Sequence, residues 1–107
     1  MIITNAFSLN MLGGAQHAKV EITQVSSQYA AEMLRADGVE SAIGHADTAS
    51  VVSAHLGLAV PAVRSTVMLP PGSTVVVAQY SGPRLPEGAT ALPEGASILY
   101  YLVEVGE

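Results

Sequence analysis

The chain has 107 residues, a length typical of one domain built around one hydrophobic core. Half of its residues are hydrophobic and only 12% are charged, a balance that excludes an intrinsically disordered protein. Four Lys and Arg residues against nine Asp and Glu residues give a formal charge of −5, which excludes sequence-independent binding to long nucleic acid. The absence of cysteine excludes disulfides, thiolate metal sites and cysteine nucleophiles.

No apolar run reaches the ~18 residues of a membrane span, and the first cation of the sequence is Lys19. We therefore expect neither a membrane segment nor a secretory leader, and a protein that works in the cytoplasm. The mean hydropathy of +0.41 is high for so small a chain. This apolar excess indicates an interface between two copies of the chain.

The N-terminal quarter of the chain predicts two strands. Residues 1–4 are a short apolar run, and residues 19–25 alternate between the two faces of a strand. Between them, residues 5–14 have room for one helical turn closed by two glycines.

The middle of the chain predicts two helices. The apolar period changes after Ser26, where a serine can cap a helix that Gly38 then ends. A second helix begins near Asp47 or Thr48, whose short oxygen side chains can cap free amides, and ends at Gly57.

The C-terminal half predicts three more strands. Residues 64–69 and 73–80 form a predicted hairpin around the Pro-Pro-Gly turn at 70–72. Residues 81–96 hold three prolines and three glycines and form a loop before the last strand, at 97–105. The sequence thus predicts a single domain, residues 1–107, of α/β (α+β) class with a mixed sheet of about five strands flanked by helices.

A Gly-His pair stands directly before the predicted second helix, at Gly44 and His45. Free amides and the positive end of the helix dipole favour an anion there, with Asp47 and Thr48 in the same turn. Glycine lets a ligand approach the backbone, and a histidine can donate a proton at neutral pH. The alternative is that His45 only caps the start of the helix.

The loop after the predicted hairpin carries an arginine and a carboxylate three residues apart, at Arg84 and Glu87. The guanidinium group of Arg84 can bind a phosphate through two parallel hydrogen bonds, and Glu87 can orient a base, a water or a hydroxyl. The alternative is an ion pair on the surface of a proline-rich turn, which contributes little to stability.

Other polar residues carry less specific information. His17 and His55 have no carboxylate or second histidine at the spacing of metal ligands, so structural roles fit them. Asn5, Ser8 and Asn10 can bind a base or a ribose, or serve a turn. Motifs for metal, nucleotide-hydrolase and dinucleotide binding are absent, and we expect neither a metal nor a cofactor.

Several of these segments, taken in order, resemble the viral ring nuclease family, which comprises type III anti-CRISPR proteins and their bacterial CRISPR-associated relatives. The segments are Thr4–Leu12, Ala42–His45 and Arg84–Gly88, with Arg64 and Gln79 between them. The likeness runs from residue 2 to about residue 104 in consistent order, and its nine-residue N-terminal segment is the most specific part.

The resemblance implies a homodimer whose cleft binds cyclic tetra-adenylate, a second messenger of type III CRISPR defence, and cuts it without a metal ion. A ribose 2′-hydroxyl attacks the neighbouring phosphate and leaves linear di-adenylate with a 2′,3′-cyclic phosphate. The likeness makes His45 the general acid and Glu87 the assisting carboxylate. Ligand-contacting places fall on Asn5, Ser8, Asn10, Gly44, Asp47, Thr48, Arg64, Gln79 and Arg84.

Two other readings remain open from the sequence. A protein that sequesters a cyclic oligonucleotide without cutting it needs the arginines and the helix start but not His45. A small structural dimer needs none of these residues. Under the ring nuclease reading the location is cytoplasmic, in the host cytoplasm if the protein is viral.

Overall fold

The computed structural model describes residues 1–107 and contains five strands, two α-helices and one short 3-10 helix. In chain order these elements are β1 (Ile2–Thr4), the 3-10 helix (Leu9–Leu12), β2 (Val20–Val25), α1 (Ser27–Asp37), β3 (Glu40–Ser41), α2 (Ala46–Leu56), β4 (Thr74–Ser81) and β5 (Ser97–Val105).

All five strands belong to one mixed sheet of order β2-β5-β4-β1-β3. β1 runs parallel to both β3 and β4, whereas β5 runs antiparallel to both β4 and β2. The apolar run at residues 75–78 is buried on both sides, which is typical of a central strand covered on both faces. The α+β fold predicted from the sequence, with a mixed five-stranded sheet and two helices, is therefore confirmed.

Alternation along the strands divides the core between two faces of the sheet. Both α-helices pack on one face, here called the helix face, which is formed by Ile3, Val76, Ala78, Ile98 and Tyr100. The other face, here called the opposite face, is formed by Val75, Val77, Val103 and Val105. Irregular chain covers only part of the opposite face, through Val67, Leu69, Met11 and Leu12.

The first helix follows the sequence prediction at both ends. The Ser26 hydroxyl accepts a hydrogen bond from the Tyr29 amide at 3.0 Å and so caps α1. The helix ends before Gly38, whose φ of 87° is a backbone conformation that glycine adopts readily. Ala30, Ala31 and Leu34 are its buried residues, whereas Tyr29 is 49% exposed.

The predicted hairpin of residues 64–69 with residues 73–80 is wrong. β4 has β1 on one side and β5 on the other, so no free edge remains for a strand at 64–69. The apolar residues Val67 and Leu69 instead pack on the opposite face of the sheet. The Leu69 amide donates a hydrogen bond to the Met11 carbonyl at 2.7 Å. The fifth strand is β3, which at two residues is too short to show alternation.

No helix in the chain is long and apolar enough to cross a membrane.

A buried tyrosine of β5 and an exposed histidine near the end of α2 form a hydrogen-bonded pair. Tyr100 is 1% exposed, and its hydroxyl lies 2.8 Å from Nδ1 of His55, with the two rings stacked 5.7 Å apart. Burial raises the pKa of the Tyr100 phenol above its ordinary value, so the hydroxyl is neutral and can donate to the imidazole. The structural role expected for His55 agrees with this contact.

This pair predicts unequal effects of two substitutions on stability. We expect His55→Ala to lower the free energy of unfolding by about 1–3 kcal/mol, because it removes both the hydrogen-bond partner of the Tyr100 hydroxyl and the ring stacked on Tyr100. Tyr100→Phe removes the hydroxyl itself and should have the smaller effect, about 0.5–1.5 kcal/mol. Urea unfolding of both variants measures the difference, and a larger loss in Tyr100→Phe would contradict this account.

Candidate active site

The carboxyl ends of the three parallel strands meet at one edge of the sheet, where β1 lies between β3 and β4. Beyond β1 the chain turns toward the opposite face, on which Met11 and Leu12 pack. Beyond β3 it turns toward the helix face and enters α2. Neighbouring strands whose connections leave for different faces open a crevice at their ends, a common place for ligands in such sheets.

His45 stands at this edge as the N-cap residue of α2, in an extended conformation with φ −98° and ψ 126°. The helix begins at Ala46, next to the predicted start near Asp47 or Thr48, but its N-cap residue is His45, and Asp47 and Thr48 lie in the first turn. The fully buried Ile43 anchors the chain just before His45.

The His45 side chain makes no capping hydrogen bond, which removes the alternative that it serves only as a helix cap. Its imidazole is exposed at the helix start. The amides of the first helical turn therefore have no side-chain partner and, with the helix dipole, favour an anion beside the imidazole.

Arg64 packs against the glycine that precedes this histidine. The Val63 amide donates to the Ile43 carbonyl at 2.9 Å and ties the two segments together. A Cβ at Gly44 would lie only 3.0 Å from Cγ of Arg64, so the absence of a side chain lets the arginine lie close to the backbone. The stem of Arg64 thus lies beside the residue that precedes His45, although Arg64 itself does not line the cleft described below.

The loop after β4 forms the other wall. Its two hydrogen bonds to the rest of the site join the Tyr80 hydroxyl to the Pro83 carbonyl at 2.5 Å and the Gly88 amide to Oδ1 of Asp47 at 3.0 Å. Between them, Leu85 packs against the core of the helix face. The loop is therefore held in place by polar and apolar contacts together.

A cleft of about 840 Å³ lies between the start of α2 and this loop, a volume in the range of small-molecule sites. Its walls are His45, Asp47, Thr48, Tyr80, Gly82, Arg84, Leu85 and Glu87. The one ion pair of the chain joins the amino group of Met1 to Asp37, so Arg84 and Glu87 are both unpaired. The alternative that they form a surface ion pair is thus contradicted.

The remaining residues that the sequence singled out do not line this cleft. Asn5, Ser8 and Asn10 are exposed on the connection that leaves β1. Gln79 faces the opposite side of the sheet, where it lines a separate hollow of about 300 Å³ together with Phe7. The candidate residues thus form two groups, one on each side of the same sheet edge.

The residues that hold the loop were not predicted from the sequence as part of the site. Tyr80 and Leu85 shape the cleft, and Gly82 lies against Ala96 across the loop base. The sequence signal for Tyr80 was the alternation of the strand, because residues 76, 78 and 80 must share one face of β4.

Nowhere in the chain do three or more His, Asp or Glu side chains lie close enough together to hold a metal ion.

We expect Gly82→Ala to destabilise the loop far more than Gly44→Ala. A Cβ at Gly82 would lie 2.6 Å from Cβ and 2.9 Å from Cα of Ala96, and its φ of 150° also disfavours a side chain. Overpacking of this kind costs about 1–3 kcal/mol. At Gly44 only the flexible side chain of Arg64 must shift. Thermal unfolding compares the two variants, and equal melting temperatures would contradict the tight packing at Gly82.

Comparison with known proteins places this chain in a family. Among curated proteins none matches the chain. Among solved structures, B116 of Sulfolobus turreted icosahedral virus (STIV) is similar, with 28% sequence identity and a TM-score of 0.79 over 96% of this chain and 97% of that chain. The family model described as STIV B116-like matches residues 1–99. The chain therefore belongs to the STIV B116-like family.

Proposed function

We propose that the protein is a metal-independent ring nuclease that binds cyclic tetra-adenylate and cleaves it to linear di-adenylate with a 2′,3′-cyclic phosphate, which would switch off type III CRISPR signalling. The observation that carries this proposal is the cleft in which an uncapped helix start with an unbonded His45 stands opposite the unpaired Arg84 and Glu87. The helix start is an anion-binding element, His45 is a proton donor and Arg84 is a phosphate-binding side chain, and all three lie at one cleft.

The proposed reaction needs few groups from the protein because the nucleophile belongs to the substrate. The ribose 2′-oxygen forms a bond to the adjacent phosphorus as the bond from that phosphorus to the 5′-oxygen breaks. His45 gives a proton to the departing 5′-oxygen, and the proton of the 2′-hydroxyl leaves toward Glu87 or solvent. No water is consumed, and two such cuts convert one ring into two linear dinucleotides.

Charge balance makes the arginines decisive for binding. The cleft holds the cation of Arg84 against the carboxylates of Asp47 and Glu87, and Arg64 adds a second cation from beside Gly44. One copy of the chain thus has a nearly neutral site for a ring with four phosphates. A second copy would bring another Arg64 and Arg84 to the same ring, which supports a homodimer as the working form.

The family membership is consistent with this proposal. The STIV B116-like family includes a viral protein, and the segments that resemble viral ring nucleases fall within the matched residues 1–99. The unmatched part contains none of the proposed site residues.

The first prediction of this proposal concerns the chemical step. The wild-type protein should convert cyclic tetra-adenylate to linear di-adenylate in the presence of a chelator, as followed by chromatography. His45→Ala should lower turnover by roughly 10² to 10⁴, the usual contribution of a general acid, while the ring still binds.

His17→Ala is the matched control, because His17 is an exposed histidine that lies outside the cleft. A ring with 2′-deoxyriboses should bind and stay intact. Cleavage of that ring would show that water is the nucleophile and would refute the transesterification. Tight binding of the natural ring without any product would instead favour the sequestering protein.

The second prediction concerns affinity. Arg84→Ala should weaken binding of the ring by about 1.5 kcal/mol or more, roughly tenfold in Kd, because it removes a charged hydrogen-bond donor to phosphate. Arg84→Lys should restore only part of the loss, since an ammonium group cannot bind two phosphate oxygens as a planar fork does. Calorimetric titration with the uncleavable 2′-deoxy ring measures both variants, with Arg35→Ala on α1 as the control, and an unchanged Kd for Arg84→Ala would refute the role.

The third prediction concerns the dimer. The opposite face leaves Ile22 56% exposed and Leu99 40% exposed, beside the hollow that holds Gln79. If two copies meet there, sedimentation should give about twice the chain mass of 11.0 kDa at micromolar concentration. Ile22→Lys should then yield a folded monomer, whereas a wild-type protein that sediments as a monomer would contradict the proposal.

A further inference from the structure

The carboxylate of Asp47 accepts a hydrogen bond from the backbone of the loop across the cleft. Its Oδ1 accepts a hydrogen bond from the Gly88 amide at 3.0 Å, across 41 positions of sequence. Gly88 directly follows Glu87, the assisting carboxylate of the proposed reaction. The bond therefore fixes the backbone at the position from which the Glu87 side chain enters the cleft.

The other half of the loop is held independently. The Tyr80 hydroxyl donates to the Pro83 carbonyl at 2.5 Å, next to Arg84, and Leu85 is anchored in the core of the helix face. Because Leu85 packs against the core between the two halves, we expect loss of one hydrogen bond to leave the other half in place. The arginine and the glutamate of the loop thus have separate supports.

The charge of Asp47 also argues against a direct contact with the ligand. A carboxylate in the first turn of α2 would repel the phosphates that the free amides of the same turn attract. Its hydrogen bond to Gly88 gives this carboxylate a different partner within the protein.

We propose that Asp47 is a positioning residue that sets Glu87 in the cleft through the Gly88 amide, rather than a group that contacts the ligand. This inference rests on the proposed function, since it assigns the support of one of its reacting groups. It changes the role of Asp47 from ligand contact, as the family resemblance implies, to organisation of the loop.

Two substitutions separate these roles. Asp47→Ala removes the acceptor of the Gly88 hydrogen bond, whereas Asp47→Asn keeps an oxygen that can accept it. Both remove the negative charge, so they change the electrostatics of the helix start equally. Glu32→Ala, on an exposed position of α1, is the control for loss of a carboxylate elsewhere.

The kinetic result that we expect is a difference in kcat between the two variants, with KM lowered equally in both because both remove a charge that repels the phosphates. Asp47→Ala should lower kcat for cyclic tetra-adenylate by roughly 10- to 100-fold, the effect of misplacing a reacting group by about 1 Å. Asp47→Asn should recover kcat to within about threefold of the wild-type value. Tyr80→Phe, which releases the Arg84 half, should chiefly raise KM.

A second readout does not need catalysis. Hydrogen exchange at the exposed Gly88 amide, followed by NMR in the ligand-free protein, should be slower in the wild type and in Asp47→Asn than in Asp47→Ala. The melting temperatures of the variants confirm that each is folded.

The outcomes separate this inference from the proposed function. Gly88 exchange that is equally fast or equally slow in all three proteins overturns the inference, as does Asp47→Asn with kcat as low as Asp47→Ala. If the wild-type protein binds no ring or leaves it intact, the ring nuclease proposal fails, and Gly88 exchange alone then decides whether Asp47 holds the loop.

Discussion

The parallel pairing of β1 between β3 and β4 is the constraint on which the site depends. β1 has only three residues, yet its register aligns Ile3 with Ser41 on one side and with Val76 on the other. This alignment brings the ends of three strands to one end of the sheet, although 32 residues or more separate each strand from the next in sequence. The start of α2 and the loop after β4 face each other across a cleft because both follow these strand ends.

The cleft illustrates how an acidic chain can present an anion site with very few cations. Backbone amides at the start of α2 and the guanidinium group of Arg84 supply local positive potential, and neither requires a basic surface. The carboxylates in the same cleft limit how strongly it attracts any anion. A site of this kind gains selectivity from the arrangement of its donors more than from its total charge.

The parts of the fold that depend on local chemistry followed from the sequence. Ser26 and Gly38 marked the ends of α1, and the apolar residues of 97–105 marked β5, because caps and strand alternation are readable over a few residues. The helix start at His45 and the loop with Arg84 were likewise evident as separate features. Their meeting in one cleft depends on tertiary structure, which spacing along the chain does not encode.

The parts of the fold that could not be predicted from the sequence depend on which segments compete for the same partner in the folded chain. Residues 64–69 have the composition of a strand, but β1 and β5 already occupy both edges of β4. β3 exists only because β1 offers it an edge, since two residues carry no periodic signal. The bond between Asp47 and Gly88 spans 41 positions and leaves no trace in either local sequence.

The order of strands in the sheet also limits when each strand can pair during folding. β2 pairs with β5 alone, in a ladder that runs from Val20 with Val105 to Val25 with Tyr100. A strand at residues 20–25 thus pairs only with a strand near residue 100. Closing so long a loop lowers the rate of folding. During synthesis on the ribosome, β2 has no partner strand until residues 97–105 have emerged. Its apolar side chains therefore stay without their partner strand until that segment has been made.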